Sequence, residues 1–419
     1  MVTRREFLKI SAATGAAFFA SRFKFYQAFA SVKVAQSPLS GSSIPRFVER
    51  LPVFGPAGDA ARVSGTDITV AAEEYQQKIL PSSVYDLLPD LYKNGTYVWA
   101  YNVGNRGAHF PGVTVEAQRS LPTNITYLNH LSSDPELQDY LTVDQTLHWA
   151  NPYQLAMMDP ERMDRYDGPA APLVAHLHGA EVASEYDGGP DQWYTQTGID
   201  IHGAGYRRYA PSEPGVNDNG AVETGPADQA QYHYVNEQEA ATLWFHDHTL
   251  GATRINVYAG LAAFYLLRDA EDTGLENNSL GLPGGPYERE LAIQDRQFDT
   301  LGQLLFPDGQ PEGYNGPPPN PLLHPYWNPE FFGDVMIVNG KSWPYYQVEP
   351  RRYRFRLLNG CNARFIELRL ENRATKKAGP AIWVIGTDGG LLDKPVLLND
   401  PKTPAGKAPR LLIAPGERY

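Results

Sequence analysis

"RRYRFRLL", residues 351–358, sets Tyr353, Phe355 and Leu357 in alternation with Arg352, Arg354 and Arg356. Residues of one parity share a face of a β-strand, so this run predicts a strand with an apolar side inward and a cationic side outward. "FIELRLE", residues 365–371, repeats the device with Ile366, Leu368 and Leu370 inward and Glu367, Arg369 and Glu371 outward. Period-two runs of this kind predict half-buried antiparallel strands.

Working outward, further strands are legible in "TYVWAYN" (96–102), "VTVEAQR" (113–119), "NITYLNHL" (124–131), "PLVAHLHG" (172–179), "ATLWFHDH" (241–248) and "ELAIQDRQF" (290–298). Residues 132–170 read as loop with a short helix over Pro160–Arg165, and residues 31 to about 90 show no clear pattern. The 419 residues include 38 Gly and 35 Pro, the heavy punctuation of many short strands joined by turns. The fold class is therefore all-β, with two successive sandwiches. The expected organisation is a leader at 1–30, a first unit at 31–270, a linker at 271–289 rich in Gly and Pro, and a second unit at 290–419.

A net charge of -12 argues against a polyanionic partner, and no basic patch of the nucleic-acid type occurs. Cys361 is the single cysteine, which excludes an intrachain disulfide and a thiolate-rich metal site. The N-terminus, "MVTRREFLKISAATGAAFFASRFKFYQAFAS", pairs Arg4 and Arg5 ahead of an apolar stretch too short to span a bilayer, and "AFA" at 28–30 has the form of a cleavage site. "TRREFLK" resembles the twin-arginine export signal, which predicts a periplasmic or extracellular protein and no stable membrane span.

Two of the strands carry His-x-His pairs, His176/His178 around Leu177 and His246/His248 around Asp247. Residues i and i+2 of a strand project to one face, so each pair presents two imidazoles together while Leu177 and Asp247 point the other way. Side by side, two such strands would converge four imidazoles on one spot, a donor set that suits copper, zinc, iron or nickel. His109, His130, His148, His202, His233 and His324 are unpaired and read as ordinary structural histidines.

"HLHG" (176–179), followed about seventy residues later by "LWFHDHTLGATRINVYAGL" (243–261), resembles the first cupredoxin domain of the multicopper oxidases. The likeness is to the spore-coat laccase, bilirubin oxidase and phenoxazinone synthase branch. "WAYNVGNRGAHFPGVTVEA", "DQTLHW", "VNGKSWPYYQVEPRRYRFRLLN", "IGTDGGLL" and "LLIAPGERY" extend it over residues 97–419. The resemblance implies consecutive cupredoxin-like Greek-key β-sandwich domains. It also implies oxidation of phenols, aromatic amines or bilirubin-like pigments at a type 1 copper, coupled to reduction of dioxygen to water at a trinuclear cluster. By position, His176 resembles the type 2 ligand, and His178, His246 and His248 resemble type 3 ligands. Asp187, in "SEYDGG" (184–189), matches a carboxylate near the cluster's water channel; as residues alone it is equally a turn residue before Gly188 and Gly189.

The family's remaining ligands lie in H-x-x-H-x-H and H-C-H motifs of a third domain, and this sequence has neither. Cys361 has no histidine neighbour, so the type 1 site is expected only with a missing C-terminal domain or a separate chain. This chain alone is expected to be incomplete and inactive. The expected partners are dioxygen and a small aromatic reductant; with five methionines, no methionine-rich segment points to cuprous ion. The competing readings are a non-catalytic cupredoxin-like periplasmic binding protein and a binuclear zinc hydrolase. The four retained histidines count against the first, and the wide spacing of the two pairs against the second.

Overall fold

The computed structural model describes residues 34–419, apart from residues 57, 133–134, 146, 154–165, 167, 169, 207–227, 307–329, 401 and 403–409. The expected leader at 1–30 and the expected helix at Pro160–Arg165 both lie outside the described residues. Among the described residues, nineteen short strands dominate, as the turn-rich composition predicts. Five of them, β2 (Asp67–Gln77), β3 (Thr96–Val103), β4 (Ala108–His109), β6 (Thr123–Asn129) and β8 (Gln229–Tyr234), make a sheet of order β4-β3-β2-β6-β8. A second sheet, β5-β10-β9-β7, is built from β5 (Gly112–Gln118), β7 (Ala175–His178), β9 (Thr242–Asp247) and β10 (Ala262–Arg268). The third, β14-β13-β11-β15, uses β11 (Glu288–Arg296), β13 (Val335–Val338), β14 (Lys341–Ser342) and β15 (Arg354–Asn359). Three two-stranded ribbons complete the set: β1 (Pro38–Leu39) with β12 (Phe298–Asp299), β16 (Ile366–Leu368) with β19 (Leu411–Ile413), and β17 (Ile382–Thr387) with β18 (Gly390–Leu398). Among the described residues no helix is long and apolar enough to cross a membrane.

The first two sheets pack face to face. Phe245 of β9 meets Tyr101 at 5.1 Å and Tyr127 at 5.8 Å between ring centres, inside one large buried cluster. The other face of the second sheet is also covered: Trp244, Ala262, Phe264 and Leu266 pack on Ala292 of β11 and Leu358 of β15. Burial on both faces explains why "TLWF" and "AAFYLL" are unbroken apolar runs rather than alternating ones. Residues 37–51 run past β12 and the third sheet. Thr300 donates to the carbonyl of Ser37, Gly41 to the Asp334 carboxylate, and Leu51 to the carbonyl of Tyr345.

The strand expected from "RRYRFRLL" forms, but it runs parallel to its neighbour β11 rather than antiparallel, and its faces are inverted. Arg354 and Arg356 are buried, while Phe355 is 40% exposed. Four arginines with buried side chains explain the inversion. Arg354 grips Asp272 with two 2.7 Å hydrogen bonds, and Arg356 reaches Glu288 and Asp272, each at 2.8 Å. Arg268 forks onto Glu288 and also meets Glu116, and Arg62 pairs with Glu290 and Glu116. Four cations and four carboxylates neutralise each other where the second and third sheets meet. Burial alone would raise the carboxyl groups of Asp272 and Glu288, but the arginines around them hold both below the usual carboxylate range. In "FIELRLE", Ile366 is buried and Glu367 exposed as expected, but Leu370 is 46% exposed rather than inward.

Candidate metal centre

Strands β7 and β9 are adjacent and antiparallel, with His176 opposite His246 and His178 opposite Trp244. This register places His176, His178, Trp244 and His246 on one face of the sheet. His248 follows just past the end of β9, held by its own amide donating to the carbonyl of Val174. The four imidazoles converge as the strand argument predicts: His176 lies 5.7 Å from His178, 5.5 Å from His246 and 4.6 Å from His248 between ring centres. One ring nitrogen from each of His176, His178 and His246 falls within 4.8 Å of the others.

The hydrogen bonds decide which nitrogen of each ring is free. His176 Nδ1 donates to the carbonyl of Asp187 at 2.6 Å, His246 Nδ1 to the carbonyl of Asp247 at 2.6 Å, and His248 Nδ1 to the carbonyl of Gly188 at 3.0 Å. A carbonyl oxygen only accepts, so the proton sits on Nδ1 and each Nε2 keeps its lone pair. His178 differs: its Nδ1 faces His246 Nε2 at 3.2 Å. Metal–imidazole bonds are about 2.0–2.1 Å, so two nitrogens at this spacing can share one ion. Anchoring of the second ring nitrogen to a carbonyl is the usual arrangement around a metal-binding histidine. The donor set fits a metal of the copper type.

Burial, with Arg418 and His176 adding to it, pushes His178 down to about 4. His246 is pushed well below its ordinary value, first by burial and then by the neighbouring imidazoles, and His248 is lowered likewise. All three rings are neutral near pH 7, the form that offers a lone pair.

Asp187 ends a short 3-10 turn over Ser184–Tyr186, and its side chain is 44% exposed. Its carboxylate lies 3.4 Å from His176 Nδ1, so the residue is both a turn residue and a neighbour of the cluster. Asp247 faces away, as the strand argument requires. Fully buried, it accepts from the amides of Val174 and Thr249 and from the Thr249 hydroxyl, and burial pushes its carboxyl up to about 7. The unpaired histidines stay apart from the cluster among the described residues. His109 bonds the carbonyl of Pro111, His202 that of Gly203, and His233 the side chain of Asn124. His324 lies outside the described residues. Burial of Cys361 pushes its thiol well up, consistent with a small core residue.

Sequence reasoning missed three residues that shape the site. Gly188 takes φ +75° and presses against the carbonyl of Ala175, so that consecutive carbonyls at 187 and 188 hold two of the imidazoles. Its only sequence signal is the Asp-Gly-Gly turn. Arg418 is buried and donates Nε to the carbonyl of Thr242, while residues 416–419 lie against His178 and β15. Trp244 packs directly on His178 and His246.

A laccase from Bacillus stratosphericus is 35% identical to this chain over 356 residues, 84% of the chain and 56% of its own length. A laccase from Haloferax volcanii is 30% identical over 421 residues, 99% of the chain and 58% of its own length. The chain thus spans about half the length of the curated relatives it matches. Among solved structures, the McoA multicopper oxidase of the hyperthermophile Aquifex aeolicus superposes with a TM-score of 0.55 at 22% identity, covering 90% of this chain and 56% of that one. The shared architecture is the cupredoxin-like β-sandwich. No protein-family model matches the chain.

Proposed function

Since the chain belongs to the multicopper oxidase family, we propose that His176, His178, His246 and His248 supply half the ligands of a trinuclear copper cluster in an exported, laccase-like oxidase. The convergence of four imidazoles, three with Nδ1 tied to carbonyls and the fourth offering Nδ1 to His246, carries this reading. His176 takes the type 2 role, and His178, His246 and His248 serve the type 3 pair. Copper bound there supplies the one-electron chemistry that couples oxidation of a phenol, aromatic amine or bilirubin-like pigment to reduction of dioxygen to water. The protein's own work is to hold the rings neutral and oriented and to bring protons. Asp187, half-exposed beside His176, is suited to pass protons from solvent towards the site. The remaining ligands and the type 1 copper come from a further domain or a separate chain. We read the strands through Arg268 as one cupredoxin-like unit and those from Glu288 as part of a second, a division supported by the three larger sheets, each built from one side of it, while the β1-β12 ribbon crosses it.

The test is copper(II) uptake by this chain. Alanine at His176, His178, His246 and His248 together should remove most specific binding, whereas alanine at His202 and His233 should not. Asp187→Asn should bind copper as the parent does, because its carbonyl, not its carboxylate, anchors His176. Uptake indifferent to the four-histidine change sinks the reading. Without a type 1 ligand set, the chain should also be colourless and unable to oxidise phenolic dyes.

Export is tested separately. Lysine at both Arg4 and Arg5 should leave folded protein in the cytoplasm; continued appearance outside it would show that the paired arginines are not the signal.

A further inference from the structure

We propose that Trp244 is the positioning residue for the facing pair His178 and His246, orienting both imidazoles and favouring their metal-loaded state. The proposal deepens the copper reading above and rests on it. Trp244 lies two residues before His246 and directly opposite His178, so strand geometry puts its indole on the same face as both rings. Its ring centre is 4.2 Å from that of His246 and 5.3 Å from that of His178, each tilted by 31°. One flat surface thus spans the two imidazoles whose nitrogens approach to 3.2 Å.

His178 needs such a support. His176, His246 and His248 each have Nδ1 fastened to a backbone carbonyl. Among the described residues the one hydrogen-bond partner of His178 is His246 itself, so a free imidazole at 178 has only packing to fix its plane. The indole supplies that packing and is itself held from behind by Ala262, Phe264, Leu266, Ala292 and Leu358.

A second observation shows that bulk alone does not explain the tryptophan. Among the described residues its Nε1 is buried without a hydrogen-bond partner, a cost that phenylalanine at this position would not carry. The property left to favour indole is its large, electron-rich face. An imidazole bound to a cation becomes electron-poor, and a tryptophan face attracts such a group more strongly than it attracts the neutral ring. The stack therefore strengthens on metal binding.

Copper(II) titration of the full chain, read by equilibrium dialysis and by indole fluorescence, tests this. Trp244→Leu, or Trp244→Met if the leucine variant does not fold, should bind copper about tenfold more weakly, the loss typical of a residue that orients a ligand. Trp244→Phe keeps a flat ring and should recover to within about threefold of the parent, while losing the part of the fluorescence quenching that comes from position 244. Phe264→Leu, which loosens the same packed cluster without touching either imidazole, should melt earlier yet bind copper as the parent does. Parent-like binding by the leucine or methionine variant overturns the proposal, as does equal weakening by Phe264→Leu, which would mark a merely structural role. If the four-histidine alanine variant binds copper as the parent does, the copper reading itself has failed. If it loses binding while the Trp244 variants do not, only the role of Trp244 has failed.

Discussion

Replacing Arg356 by methionine should destabilise the protein by about 3–5 kcal/mol, the cost of breaking a buried ion pair from one side. Arg356 is 3% exposed and bonds Glu288, Asp272 and the hydroxyl of Thr242. Methionine fills much of the same space but leaves two buried carboxylates short of a cation. Arg351→Met is the contrast: Arg351 meets Glu276 at 3.4 Å with both side chains about half exposed, and its loss should cost under about 1 kcal/mol. The pH dependence has a definite sign. Asp272 and Glu288 have folded-state values below their ordinary 3.8 and 4.5, so the stability they contribute is present above that range and is lost as pH falls below it. In Arg356→Met the carboxylates are less depressed, so this acid loss should flatten. Urea unfolding of both variants from pH 7 down to pH 3 measures the effect; a neutral-pH loss below about 1 kcal/mol for Arg356→Met would mean the network is not a mutually dependent unit.

Alanine at Gly188 should weaken copper binding by about 10–100-fold, as loss of the groups that orient metal ligands commonly does. A Cβ there collides with the carbonyl of Ala175, which is strand backbone and cannot swing aside, and φ +75° is unfavourable for alanine in any case. Relief requires the 187–188 turn to move. That turn carries the carbonyls holding His176 and His248. The folding cost of the strained turn should be about 1–3 kcal/mol. Gly189 is the internal control: it lacks a left-handed φ, and the three nearest atoms to a Cβ there, among the described residues, belong to the flexible side chains of Gln192 and Asp191. Gly189→Ala should bind copper as the parent does. Equal binding by Gly188→Ala would show that the carbonyl anchors do not orient the imidazoles.

The strands readable in advance were those whose local pattern agrees with their surroundings, such as β3, β5 and β6. β2, the longest strand at 11 residues, was not, because "DITVAAEEYQQ" mixes helix-forming Ala, Glu and Gln into a strand held by two neighbours. The helix at Thr253–Ala259 follows the second histidine pair within a run whose β-branched and aromatic residues suggest no helix. Its five buried residues show that packing decides it.

By itself the sequence determined the all-β class, the two His-x-His pairs and their common-face projection, and the opposite aim of Leu177 and Asp247. Each follows from a two-residue period that a strand imposes wherever it lies. Only the tertiary structure decided which faces are wet. Alternation at 351–358 says that arginines share a side, not that the side is buried; Asp272 and Glu288, distant and of no obvious pattern, make burial of Arg354 and Arg356 tolerable. The same holds at the metal centre. That His176 faces His246, that Gly188 offers its carbonyl to His248, and that Trp244 spans two imidazoles all depend on the register of strands about seventy residues apart, which no local spacing encodes.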